Sequence, residues 1–204
     1  MKIISHRGLW RTRDKQNSLL AFSESFSHNF GTELDVRDLN NEIVVSHDIP
    51  SQNALKLSEV IKLDKIENNI LAVNIKADGI LKRAEKILNK AKCEWYFFDM
   101  SFPETIICHK NNFPFFIRVS EYEQINELID KADGIWLDSF NSTWYDADSI
   151  KYFLDLNKKL CIVSSELHGR EYKKLWKLIH KFKSHENISI CTDLPFEAEN
   201  FFNN

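Results

Sequence analysis

Eight short apolar runs, each followed by a segment of helical period, set the tightest limit on what this chain can fold into. The runs are KIIS (2–5), TELDV (32–36), ILAVNI (70–75), WYFFD (95–99), FPFFIR (113–118), GIWLD (134–138), LCIVSS (160–165) and ISICT (188–192). Helical patterns fall between them at about 18–28, 57–62, 79–91, 102–109, 121–131, 147–156 and 170–182, with a last one near 196–202. Near-continuous apolar runs alternating with single helices read as parallel strands covered on both faces. Eight of them match a compact (β/α)8 TIM barrel forming a single domain over 1–204. The other arrangement is an open doubly wound sheet, but no GxGxxG follows the first run, so a dinucleotide fold is not expected. One interruption departs from the beat. RDLNNEIVVSHD places a turn-forming Asn-Asn between two extended pieces, a hairpin-like excursion that carries His47 back over one end of the barrel.

The net charge is −3 with both signs well mixed, so nucleic acid is not an expected partner. The most basic stretch, EYKKLWKLIHKFKSH, spaces Leu175, Trp176, Ile179 and Phe182 as one helix face. It reads as a helix with a solvated lysine side, with peripheral contact to an anionic membrane surface as the other reading. No apolar run is long enough to span a bilayer, and the first strand begins at once, which leaves no room for a signal segment. Cys93, Cys108, Cys161 and Cys191 lack CxxC or metal spacing. They read as buried thiols of a reducing, cytoplasmic compartment.

Ligands of parallel α/β folds collect where the strands end. The first run ends at His6-Arg7, and the second carries Glu33 and Asp35, two apart and therefore on one face. The third ends with Asn74 and Lys76, and later runs end at Arg118, Asp138, Ser165-Glu166 and Thr192-Asp193. Two carboxylates in adjacent same-face positions repel unless positive charge lies between them. Glu33 and Asp35 therefore ask either for a hard divalent ion, with Asn74 adding an amide oxygen, or for a salt-bridge network with Arg7, Lys76 or Arg118. Two histidines at one barrel end, His6 and His47, suit acid/base work.

These motifs together resemble the glycerophosphodiester phosphodiesterase family. The match lies in HRG after the first strand, the Asn of QNSLLAF, G-x-E-x-D-V on the second strand, VVSHD, and the late TDLPFEAENFF. It is tight over 3–48, partial at 71–79, and returns at 188–202. The resemblance implies a TIM barrel that hydrolyses phosphodiesters such as glycerophosphocholine. It makes His6 and His47 the catalytic pair, and Glu33 and Asp35 ligands of one divalent cation, Mg2+ or Ca2+. Related phospholipases C and sphingomyelinase D-like enzymes use a similar mouth. The family usually has Glu-x-Lys on the next barrel strand. Here NIK puts Asn74 where that Glu is expected and keeps Lys76. The family's subdomain after the second histidine is reduced to DIPSQNALK, which leaves the alcohol undefined. NIKADG, FIRVSEYE and SSELHGRE resemble a bacterial subset associated with surface-polysaccharide genes.

The chemistry this implies is metal-dependent cleavage of a small or glycan- or lipid-derived phosphodiester. Arg7, Lys76 and Arg118 are the expected phosphate-binding cations. His6 is the expected base on the nucleophile side and His47 the acid at the leaving group. The first attack is by water or by an internal hydroxyl that gives a cyclic phosphate. Asp48 is a candidate to orient His47 or Arg7, and Glu166 and His168 are candidates for contact with substrate or ion. Asp138 and Asp193 are expected to hold arginines or lysines, and Gly8 to let the loop pass close to the phosphate. The competing reading is a catalytically weak module that binds phosphosugars or phospholipid headgroups.

Overall fold

The computed structural model describes residues 1–203. In chain order the strands are β1 (Lys2–Ser5), β2 (Gly31–Leu39), β3 (Glu42–Val45), β4 (Ile70–Ile75), β5 (Glu94–Phe98), β6 (Phe116–Val119), β7 (Gly134–Leu137), β8 (Lys159–Val163) and β9 (Ile188–Thr192). The α-helices are α1 (Leu19–Ser27), α2 (Leu57–Val60), α3 (Leu81–Leu88), α4 (Phe102–Asn111), α5 (Ala147–Asp155), α6 (Lys173–Ile179) and α7 (Pro195–Asn203). The strands hydrogen-bond in the order β5-β4-β2-β1-β9-β8-β7-β6, with β3 attached to β2. Parallel strands alternating with helices in this order make the fold a compact (β/α)8 barrel. The chain divides into two compact units, Ser5–Phe115 and Met1–Ile4 with the residues from Phe116 onward.

In the unit Ser5–Phe115, β2 is buried along its first six residues, as a parallel strand covered on both faces must be. α1 starts where Ser18 Oγ accepts the Ala21 N–H at 3.2 Å, and it buries Ala21, Phe22, Ser25 and Phe26 on one side. β2 and β3 form the hairpin expected from the Asn-Asn pair. They pair antiparallel from Val36↔Val45 to Leu39↔Glu42. Asn40 and Asn41 both take positive φ, 50° and 67°, the backbone a two-residue hairpin turn requires.

The loop after β1 is pressed onto α1. Gly8 has φ +88°, and a Cβ there would lie 2.7 Å from Ala21 Cβ and 2.8 Å from its carbonyl carbon. Leu9 N–H donates to Ala21 O at 2.9 Å beside it. The structural demand for glycine is thus close helix packing. We expect Gly8→Ala to lower stability by about 1–3 kcal/mol, read by urea denaturation, because it combines a disfavoured φ with a clash against backbone. An unchanged midpoint would contradict that packing account.

The strand expected at 113–118 is shifted toward the C-terminus. Phe97 N–H donates to Pro114 O at 2.9 Å in the first unit, and the strand proper begins at Phe116. The larger difference is at 121–131, where the spacing predicts a helix and the structure has only a 3-10 turn, Glu127–Asp130. Asn126 caps that turn by accepting the Leu128 N–H, Ser120 Oγ holds the N–H groups of Tyr122 and Glu123, and Glu123 and Glu127 would repel at i,i+4 in a helix. α5 begins with a reciprocal capping box between Asp146 and Ser149, and its Ile150, Phe153 and Leu154 are buried. Trp176 of α6 is fully buried, and its indole N–H is satisfied by Ser164 Oγ at 2.7 Å.

Candidate functional site

The site is built on β2. Glu33 and Asp35 lie on one face of the strand and are 1% and 0% exposed. β4 runs beside them with Asn74 directly in register with Asp35. Asn74 Nδ2 donates to Glu33 Oε1 at 3.2 Å, while its Oδ1 is buried with no hydrogen-bond partner. Arg7, in the loop after β1, has φ +58°, a disfavoured backbone for a non-glycine residue. That conformation turns its N–H to Glu33 Oε2 at 3.2 Å and sets its Nε 2.9 Å from Asp35 Oδ2. The latter contact is an ion pair without the alignment of a hydrogen bond. Lys76 Nζ lies between two carboxylates, 2.9 Å from Asp99 Oδ2 and 3.7 Å from Asp35 Oδ1.

Two contributors stand outside the residues singled out from sequence for this cradle. Asn17, at φ +55°, donates from Nδ2 to Asp35 Oδ2 at 2.8 Å, and its own N–H is held by Arg7 O at 3.0 Å. Asp99 follows β5 with φ +63° and fixes Lys76. Asp99 was within reach of the strand-end rule, since it closes the run WYFFD. Asn17 has its signal in the QNSLLAF motif just before α1, which carries no role for it by itself.

The two histidines come to β2 from different segments. His6 follows β1, with Nε2 4.0 Å from Glu33 Oε2 and its carbonyl held by Trp10 Nε1 at 2.9 Å. His47 follows β3, where Ser46 N–H donates to Asp35 O at 3.0 Å and Arg37 Nε to His47 O at 3.0 Å. The hairpin thereby returns His47 to the level of Asp35. Its ring is about half exposed, and Nδ1 meets Asp48 Oδ1 at 2.9 Å. An Nδ1–H donated to Asp48 leaves Nε2 to face solvent or a ligand.

Burial and then the neighbouring Asp35 charge push the Glu33 carboxyl up to about 7, against the pull of His6, Arg7 and Lys76. The folded-state value lies above the unfolded one. The stabilisation from protonated Glu33 is therefore complete below the ordinary value of 4.5 and is lost as pH rises through about 7. We expect the protein in EDTA to lose roughly 3 kcal/mol from this group between those limits. Glu33→Gln should flatten that slope in denaturation curves taken across pH. A slope that persists in Glu33→Gln would assign it to other groups.

Three further candidates belong to the unit from Phe116 onward. Arg118 donates from Nε to Glu123 Oε2 and lies 5.6 Å from the centre of the Phe140 ring. The Glu166 carboxylate accepts from Ser164 Oγ, Thr192 Oγ1 and the Asp193 N–H, an arrangement that ties β8 to β9. His168 Nε2 meets Asp138 Oδ1 at 2.7 Å, so Asp138 holds a histidine rather than an arginine or lysine. Arg170 precedes α6 rather than opening it, and donates to Ser139 Oγ at 2.8 Å.

The four cysteines are free thiols. No helix of the described residues is long and apolar enough to cross a membrane. Among the described residues no three His, Cys, Asp or Glu side chains gather as a ready metal cluster. The unsatisfied acceptors of the cradle are Asp35 Oδ1 and Asn74 Oδ1, both hard oxygens.

No protein-family model matches the sequence, and no curated protein is similar to it. Solved structures are similar over nearly the whole chain. A glycerophosphodiester phosphodiesterase from Parabacteroides distasonis superposes with a TM-score of 0.75 at 19% identity, covering 99% of this chain and 96% of that one. One from Agrobacterium tumefaciens gives 0.67 at 14%, with both chains fully covered. A Ca2+-dependent phosphatidylinositol-specific phospholipase C from Streptomyces antibioticus gives 0.57 at 8%, covering 98% and 95%. At these identities the likeness establishes the fold, a TIM barrel.

Proposed function

We propose that this chain is a divalent-cation-dependent phosphodiester hydrolase of the glycerophosphodiester phosphodiesterase type. The observation that carries the reading is the cradle itself: Glu33 and Asp35 of β2, Asn74 of β4, and Arg7 and Lys76 just past the ends of β1 and β4, gathered beside His6. Arg7 and Lys76 face three carboxylates, Glu33, Asp35 and Asp99. Such a cradle has no positive surplus with which to attract a phosphodiester anion. A divalent cation supplies the surplus, and the donors present fit Mg2+ or Ca2+, which take oxygen ligands. Glu33, Asp35 and Asn74 would hold it, with Asn74 Oδ1 already desolvated and without a partner. When bound, the ion polarises a non-bridging phosphate oxygen.

The rest of the work falls to side chains. Nε of the Arg7 guanidinium is turned to Asp35 and Nη1 donates to Gln16 Oε1 at 3.4 Å, so Nη2 is the group left to grip a phosphate. Lys76 adds a point charge. Arg118 is a further phosphate-binding candidate, and its ion pair with Glu123 would have to loosen for that role. His6 takes the proton of the attacking water or internal hydroxyl, and His47 gives one to the departing oxygen. Asp48 fixes the ring of His47 for that donation. Glu166 and His168 remain candidates for substrate contact. The expected location is cytoplasmic, with free thiols and a small-molecule diester as partner.

The test is a panel of glycerophosphodiesters, phosphoinositides and sugar phosphodiesters with and without EDTA, following released phosphomonoester and cyclic phosphate. Turnover that EDTA abolishes and Mg2+ or Ca2+ restores is the expected result. Asn74 in place of a third carboxylate favours one other reading, a weak module that binds phosphorylated headgroups. Inorganic phosphate binding with no turnover of any diester would put that reading first.

A further inference from the structure

In a (β/α)8 fold the helix that connects two strands also covers them. Between β6 and β7 that α-helix is missing, and only the 3-10 turn at Glu127–Asp130 takes its place. Beside the bare connection lies a groove of about 660 Å³. Val119 of β6, Ile125 of the connection, Trp144, and Tyr152 and Phe153 of α5 line it. Ile125, Trp144 and Tyr152 are 43%, 39% and 51% exposed, an unusual concentration of large apolar side chains on one small surface.

The groove follows α5. Its contributors from that helix, Asp148, Ser149, Tyr152 and Phe153, recur one and four residues apart, so they form one stripe along the axis. A stripe with a small residue at Ser149 and an aromatic one turn on is the surface against which another helix packs. Charge says which kind of helix. From Ser120 to Lys131 there are four carboxylates, Glu121, Glu123, Glu127 and Asp130, against Lys131 alone. Glu123 is paired with Arg118, and Glu121 accepts the N–H groups of Phe140 and Asn141 but meets no cation among the described residues. From Asp146 to Asp155 there are Asp146, Asp148 and Asp155 against Lys151, which is already paired with Asp155 at 2.8 Å. Glu121 and Asp148 stand in the groove lining itself.

We propose that this groove docks a basic amphipathic helix supplied by another polypeptide. Its apolar i, i+3/i+4, i+7 face lies against Ile125, Trp144 and Tyr152, in the position of the missing barrel helix, and its lysines or arginines lie toward Glu121 and Asp148. The inference does not depend on the phosphodiesterase reading, and the groove uses none of the residues of the phosphate cradle.

The probes are two designed helical peptides with the same leucine face, one with a lysine and one with a glutamate solvent face, titrated into the full-length protein by calorimetry. The lysine peptide should bind one to one, and its affinity should fall as salt rises. The glutamate peptide should not bind. Tyr152→Ser and Asp148→Asn, both at exposed positions, should each weaken the lysine peptide by about tenfold, while Leu20→Ser on an unrelated exposed site leaves it unchanged. Equal binding of both peptides, or equal binding by the parent and Tyr152→Ser, would overturn the proposal. So would displacement of the lysine peptide by tetramethylammonium alone, which would mark a small-cation pocket. A concentration-dependent dimer that Tyr152→Ser abolishes would also overturn it, because it gives the groove to a second copy of this chain. Circular dichroism on each variant separates loss of binding from loss of fold.

Discussion

His6→Ala and His47→Ala are each expected to lower kcat on a phosphodiester by about 10²–10⁴-fold, with KM changed far less. The two histidines reach the β2 site on different segments, the loop after β1 and the end of the β2-β3 hairpin. His6 sits beside buried Glu33, and His47 comes in on the hairpin half-exposed, with Nδ1 on Asp48. Each proton transfer requires its counterpart, so the double variant should lose little more than the worse single one. Leaving-group chemistry separates the roles. A p-nitrophenyl diester departs without help from an acid. It should therefore recover most of the lost rate in the variant lacking the acid and little in the variant lacking the base. The half-exposed His47, with Nδ1 committed to Asp48, is the expected acid, so the recovery belongs to His47→Ala. Recovery only in His6→Ala would exchange the assignments. Wild-type turnover in both variants would take the histidines out of the chemistry and leave a binding module.

How much of this was legible in the chain follows from the range over which each interaction acts. Strands and hairpin are readable because their signals are local: short near-continuous apolar runs, and an Asn-Asn pair suited to positive φ at 50° and 67°. Glu33 and Asp35 were readable for the same reason, since two residues of separation fix a shared face on any strand. The register that places Asn74 opposite Asp35 depends on two strands 39 residues apart in sequence. It could be anticipated only through the expected barrel and the family pattern. Asn17 stands in the QNSLLAF motif, but its contact with Asp35 depends on a left-handed turn at φ +55° that the motif alone does not specify. The expected helix at 121–131 failed for a local reason that apolar spacing does not weigh. Side-chain caps at Ser120 and Asn126, and like charges at i,i+4, offset the gain from burying Ile125 and Leu128. That same failure leaves the groove beside α5 uncovered.

Asp35 separates the two readings that the sequence left open, a cation site and a salt-bridge network. The structure places elements of both on one carboxylate. Oδ2 is held by Arg7 Nε at 2.9 Å and Asn17 Nδ2 at 2.8 Å, while Oδ1 has no hydrogen bond and only Lys76 at 3.7 Å. Asp35→Ala strands Arg7 and Lys76 beside a buried gap, and removing one partner of such a pair costs about 3–5 kcal/mol. A stability loss in that variant is expected under either reading and decides nothing. Asp35→Asn is the informative change, because it keeps the shape and one acceptor oxygen but removes the charge an ion needs. Calorimetry with Mg2+ and Ca2+ should show saturable binding in the parent, and a loss of at least about 100-fold in Asp35→Asn, in line with the cost of disturbing a ligand set. Asn74→Glu should act in the opposite sense. It restores a third carboxylate beside Glu33 and should tighten the ion by about tenfold, most clearly above pH 7, where Glu33 is ionised. In EDTA the same change should destabilise the fold, since three buried carboxylates then share two cations. If the parent takes up neither ion and Asn74→Glu only destabilises, the cradle is a closed ion-pair network and the hydrolase proposal loses its electrophile. If both variants move divalent affinity in the stated directions, Asn74 is a ligand, and the carboxylate missing from this chain explains a weaker ion site.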